Sequence, residues 1–113
     1  MIEIKVRDYL SGILTVPVLL EREPSEDGRY VLIQKTGSRR ADRIDTATLA
    51  IQSIGPSLYE AAALNEEVKA AMFSMPDTEM NIFRAELNSD YNFTNTNTKE
   101  RRYQAVFHIT FKE

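Results

Sequence analysis

Apolar residues recur at helical spacing at the start of the chain. Ile2, Val6, Tyr9, Leu10 and Ile13 are interleaved with Glu3, Lys5, Arg7 and Asp8, which predicts an amphipathic helix stopped by Gly12. Thr15 to Leu20 is β-branched and apolar and predicts a strand. Pro17 has no N–H to give a ladder, so that strand belongs at a sheet edge. Pro24 to Gly28 is a turn cluster, and Tyr30 to Lys35 reads as the return strand of a hairpin. Thr36 to Asp45 is polar, carries Gly37, and sets Arg39, Arg40 and Arg43 against Asp42; it reads as an exposed loop.

From Thr46 to Ile54 the pattern alternates, with Ala47, Leu49, Ile51 and Ser53 on one face and Thr48, Ala50 and Gln52 on the other. Gly55-Pro56 ends it. Ser57 with Glu60 three residues on has the spacing of a capping box, so a helix starts there. It is expected to run to about Ser74, burying Ala61, Leu64, Val68, Ala71 and Met75 and leaving Glu60, Glu66, Glu67 and Lys69 in water. Met80 to Asn88 reads as a fourth strand. Tyr103 to Phe111 reads as a fifth, with Tyr103, Ala105, Phe107, Ile109 and Phe111 facing one way. The Asn/Thr-rich stretch between them, Ser89 to Arg102, reads as a long polar loop, a feature more often functional or disordered than passive.

The expected fold is therefore α+β, in the order α-β-β-β-α-β-β. A mixed or antiparallel sheet of four to five strands is flanked by two helices. With 113 residues and no repeat or linker, residues 1–113 are expected to form a single small domain. Composition supports a packed core, since 42% hydrophobic and 27% charged residues are outside the range of disordered chains. No run approaches the roughly 20 apolar residues that span a bilayer. The charged N-terminus lacks the apolar core of a signal peptide, so no membrane is expected and the chain is expected to stay in the cytoplasm. Asn92-Phe93-Thr94 fits a glycosylation sequon, but a chain that is not secreted never meets the glycosylating enzyme.

Candidate chemistry is sparse. The chain has no cysteine and one histidine, His108, which excludes disulfides, thiol nucleophiles and multi-histidine metal sites. His108 falls on the more polar face of the fifth strand with no carboxylate near it in sequence to orient its ring. Lys35-Thr36-Gly37 matches one element of the penicillin-binding serine enzymes, but no serine begins the Ser-x-x-Lys that supplies their nucleophile. Adjacent helical residues point apart, so Glu66 and Glu67 do not converge on one atom. The four glycines form neither a phosphate loop nor a dinucleotide fingerprint. These observations predict no enzyme, no metal, no cofactor and no small-molecule substrate.

Charge placement is more informative. The net charge is −3, which weighs against binding nucleic acid through bulk charge. Yet Lys35, Arg39, Arg40, Arg43, Lys99, Arg101 and Arg102 make up half of the 14 basic residues, and basic loops on an acidic body can form a local positive patch. Tyr91 and Phe93 fall inside the expected polar loop, where a monomer core does not account for them. Aromatics among polar residues have the character of interface anchors.

Several segments in fixed order resemble a known family. They are Tyr30-Val31-Leu32-Ile33-Gln34-Lys35-Thr36-Gly37, then Ala47 to Ser53, then Ser57-Leu58-Tyr59-Glu60-Ala61-Ala62. Leu87-Asn88-Ser89-Asp90-Tyr91-Asn92-Phe93-Thr94 and Arg102-Tyr103-Gln104-Ala105-Val106-Phe107 follow. Together, from Val16 to Phe111, they resemble the tail-terminator proteins of long-tailed bacteriophages of Gram-positive hosts. These are also called tail-completion, tail-to-head joining, minor capsid or minor tail proteins. Ser38-Arg39 departs from the pattern, in which a second glycine follows Gly37.

The resemblance implies a structural virion protein, assembled in the host cytoplasm into a homo-hexameric ring at the head–tail interface. Such a ring caps the tail tube, ends its polymerisation and offers the head-docking surface. Its partners are further copies of itself, the major tail tube protein and a head connector or stopper protein, with genomic DNA passing through transiently. Closed rings need head-to-tail interfaces. Arg39, Arg40, Arg43, Tyr91, Phe93, Lys99, Arg101 and Arg102 would then contact the next subunit or line the lumen. The alternative is a small nucleic-acid-binding or regulatory module that uses the Arg39/Arg40/Arg43 loop. No helix-turn-helix or RNA-binding signature accompanies that loop.

Overall fold

The computed structural model describes residues 1–21, 28–97 and 100–113. The elements are α1 (Ile2–Ser11), β1 (Val18–Leu19), β2 (Tyr30–Ala41), β3 (Ile44–Gly55), α2 (Leu58–Thr78), β4 (Ile82–Asn92) and β5 (Arg101–Phe111). The strands form one mixed sheet in the order β1-β2-β3-β5-β4. Class and element order agree with the sequence reading.

Alternation along the strands explains the layering. Val31 and Ile33 on β2, Leu49 and Ile51 on β3, and Ala105, Phe107 and Ile109 on β5 are buried on one face. Val6 and Leu10 of α1 and Leu64, Val68, Met72 and Met75 of α2 pack into the same cluster, so both helices cover that face. Leu49 and Phe107 are register partners at its centre, each with no exposed surface. The opposite face carries no helix.

The start of α2 follows its sequence signal. Ser57 Oγ accepts the Glu60 N–H at 3.2 Å, and the Ser57 hydroxyl donates to Glu60 Oε2 at 3.2 Å. The carboxylate thus closes on the hydroxyl rather than on the Ser57 N–H. The helix continues to Thr78, past the expected end near Ser74. Pro76 lies inside the last turn and donates no N–H, yet the Glu79 N–H still reaches Met75 O at 2.9 Å.

Three expectations are corrected. First, β1 is only two residues long and pairs parallel to β2 through Val18–Val31 and Leu19–Leu32, not as a hairpin. The position at the edge was read correctly, and the Pro17 carbonyl accepts the Val31 N–H at 2.9 Å. Most of the expected turn cluster, Pro24 to Asp27, lies outside the described residues. Second, Thr36 to Asp45 is not a loop. β2 and β3 continue antiparallel to Ala41 and Ile44 as an exposed hairpin, the arm, whose tip, residues 41–44, runs past the end of β5. Third, the two ends of Ser89 to Arg102 are not loop: β4 runs to Asn92 and β5 starts at Arg101.

Candidate functional site

The arm is a hairpin with little to bury. Every residue from Gln34 to Arg43 is exposed. Gly37 follows a bulge at Thr36, where the β2–β3 register shifts, and the chain reverses at Asp42-Arg43. Both turn residues have positive φ, 53° and 67°, the conformation of the two-residue turn whose twist suits a hairpin. Glycine or asparagine adopts that conformation at least cost. An arginine held there is strained by about 1–2 kcal/mol, an outlier of the kind that collects at functional positions.

The three arm arginines are not equivalent. Arg40 faces its register partner Asp45 and grips it with two parallel bonds, Nε to Oδ1 at 2.6 Å and a terminal nitrogen to Oδ2 at 2.8 Å. That hydrogen bonding holds the Asp45 carboxyl below its usual range and raises the Arg40 guanidinium. Arg40 is thus engaged within the chain. Arg39, opposite Thr46, and Arg43, at the tip, have no carboxylate partner among the described residues. At the base of the arm lies an open cavity of about 300 Å³ whose lining mixes Lys35, Arg39 and Arg40 with Glu3, Asp45 and Glu113. Its charges largely cancel.

Arg101 and Arg102 lie at the far end of the sheet. Arg101 pairs in register with Gly55, while Asp45 at the arm end pairs with Phe111. At about 3.3 Å per residue the two ends of β3 are roughly 35 Å apart. The expected single patch is therefore corrected to two separate groups. Arg101 is exposed, and Lys99 lies outside the described residues.

Arg102 is committed to the fold. On the helix-free face, its Nε donates to Phe93 O at 2.7 Å and Nη1 to Gln52 Oε1 at 3.2 Å. The guanidinium stands 4.9 Å over the Phe93 ring and 3.7 Å from Glu100 Oε1. The network extends both ways. Gln52 Nε2 donates to Gln104 Oε1 at 3.0 Å, Gln104 Nε2 to the Tyr91 hydroxyl at 2.5 Å, and the buried Tyr30 hydroxyl to Glu100 Oε2 at 3.2 Å. Gln52 and Gln104 are cross-strand partners, 6% and 8% exposed. The network ties Phe93 and Glu100 down over this end of the sheet. Tyr91 and Phe93 meet edge to face at 5.7 Å and stay 40% and 38% exposed. They are corrected from residues of a free loop to the rim of this cluster.

His108 Nδ1 lies 3.0 Å from Thr48 Oγ1, its register partner on β3. Among the described residues no three His, Asp or Glu side chains gather as a metal set, and no helix is long and apolar enough to cross a membrane.

A second polar cluster joins α2 to β4. Lys69 Nζ reaches Asp90 Oδ2 at 2.5 Å and Glu66 Oε1 at 3.0 Å, and Asn65 Nδ2 donates to Asp90 Oδ1 at 2.7 Å. Hydrogen bonding to Asp90 and then Glu66 raises the Lys69 pKa. Beside it β4 forms the outer edge of the sheet, with bulges at Phe83 and Asn88. Phe73, Phe83 and Leu87 are exposed there at 52%, 52% and 36%. Sequence reading missed this edge. Its signal was available as Glu86 and Asp90 following the acid-rich stretch Asp77 to Glu79.

No protein-family model and no curated protein matches this chain.

Proposed function

We propose that the chain is an assembly protein: the subunit of a homo-hexameric ring that closes the tail tube of a long-tailed phage and receives its head. Its partners are further copies, the tail tube protein and a head connector, and its location is the virion. The observation that carries this reading is the arm. A stretch from Gln34 to Arg43 that buries nothing adds little to the stability of the monomer, yet it is built as a regular hairpin with a strained arginine at its tip. Such an element is explained by a contact outside the chain. The small cross-strand register at the other end, locked by Arg102, gives the ring subunit a stiff body from which the arm projects.

The nucleic-acid alternative uses the same Arg39 and Arg43, but the separation of the basic groups to opposite ends leaves only a small charge at the arm. The test is Arg39→Glu with Arg43→Glu, leaving Arg40 in its pair. The ring reading expects unchanged melting, headless or overlong tails by electron microscopy, and no salt-dependent duplex DNA binding by the unmodified chain. Normal particles from the variant would refute it, and tight DNA binding with a steep salt slope would favour the regulator.

A further inference from the structure

We propose that the arm of one copy docks on the α2–β4 edge of a second copy, so that the self-contact is head-to-tail between two different surfaces. This deepens the ring reading and rests on it.

Charge complementarity carries the argument. The arm offers two cations unpaired among the described residues, Arg39 and Arg43, on an exposed ribbon. The α2–β4 edge is acidic: Glu66, Asp77, Glu79 and Asp90, with Glu86 on the other sheet face, stand against Lys69 and Arg84 of these elements and Lys5 of α1, whose Nζ donates to Met80 O at 2.8 Å. Lys69 is already held by Asp90 and Glu66, and Arg84 Nε by Glu86 at 3.0 Å. That leaves Asp77 and Glu79 with no cation within ion-pair distance among the described residues.

The apolar residues fit the same occupant. Phe73, Phe83 and Leu87 stay 52%, 52% and 36% exposed along this edge, although Phe73 also packs edge to face on Phe107. Arginine is the cation whose planar head stacks on aromatic faces and whose stem covers apolar surface. An arm carrying arginines matches an edge carrying both carboxylates and phenyl rings.

The geometry also makes the contact heterologous. The arm extends from the β2 side of the sheet, and β4 is its opposite outer strand. One copy cannot satisfy its own edge, and in the ring reading the arm passes in one direction from copy to copy. Each subunit therefore passes its arm to the next, the arrangement that closes into rings or runs on as filaments. The bulges and charges on β4 oppose a continuous strand-to-strand ladder, so the contact is through side chains.

The native chain has no cysteine, which permits a clean crosslinking test. Purified Ser38→Cys and Asn88→Cys chains, both at exposed positions, are mixed at high concentration with a short bismaleimide. The expected product is a mixed dimer between the two variants, about tenfold over either variant alone. Arg39→Glu/Arg43→Glu in the Ser38→Cys chain should remove it, and Asp77→Lys/Glu79→Lys in the Asn88→Cys partner should restore it. Circular dichroism on each variant checks that it is folded. Crosslinking of Ser38→Cys with itself, no mixed product, or no rescue by the reversed pair overturns the proposal. Failure here while arm-reversed particles still lack heads removes this acceptor edge and leaves the ring reading standing. Normal particles together with failed crosslinking removes both.

Discussion

Replacing Arg102 by alanine tests whether the helix-free end of the sheet is a structural lock. Four contacts are lost at once: the bonds to Phe93 O and Gln52 Oε1, the stacking over Phe93, and the ion pair to Glu100. Gln52 is 6% exposed, so its orphaned oxygen costs about 1–3 kcal/mol. The lost cation–π contact adds about 0.5–1 kcal/mol. Phe93 O is regained by water and adds little. The sum is about 2–4 kcal/mol, which for a chain of this length lowers the melting temperature by roughly 10 °C. Urea unfolding followed by circular dichroism reads the difference directly, provided the slope with denaturant is unchanged. Arg102→Lys keeps the charge but not the fork, and should fall between. Arg101→Ala, one residue away and exposed, should stay within about 0.5 kcal/mol of the parent. If Arg102→Ala also stays within that margin, the network contributes nothing and the reasoning fails.

Arg43→Gly should stabilise the isolated chain by about 0.5–1 kcal/mol, because relief of the positive φ outweighs the extra freedom of glycine when unfolded; equilibrium unfolding would show a higher midpoint. Gly55→Ala should destabilise by about 1–3 kcal/mol, since a Cβ there would stand 2.8 Å from Ala61 N and 3.1 Å from Glu60 C, forcing the start of α2 off β3; thermal melting checks it. Arg40 holds the Asp45 pKa below its unfolded value, so the pair adds stability above the ordinary carboxylate pKa of about 4 and loses it as pH falls through the folded value. Asp45→Asn should therefore be less stable than the parent at neutral pH, and the gap should close as unfolding is repeated at lower pH.

The parts of the fold that bury apolar surface were legible in the sequence. Ala47-Leu49-Ile51 and Ala105-Phe107-Ile109 alternate because one side of each strand meets the helices. Ser57 with Glu60 marks a helix start by local hydrogen bonding alone. The arm was hidden for the opposite reason: with both faces in water, Thr36 to Asp45 has no period of two, and Asp42-Arg43 lacks the glycine that announces a tight turn. The end of β4 was hidden likewise, since Ser89 to Asn92 pairs by backbone while its side chains stay polar. The lock around Arg102 joins Tyr30, Gln52, Gln104 and Glu100, residues up to 70 positions apart, and only strand register brings them together. Loop-like composition thus mistook the backbone state of the arm residues, and treated Arg102 as free when it is bound.

The most direct test of the assembly role is electron microscopy of particles induced from the source strain after deletion of this gene. The account predicts tails of uncontrolled length with unattached heads, restored by the intact chain but not by Arg39→Glu/Arg43→Glu. Finished virions with tails of normal length in the deletion strain would contradict it.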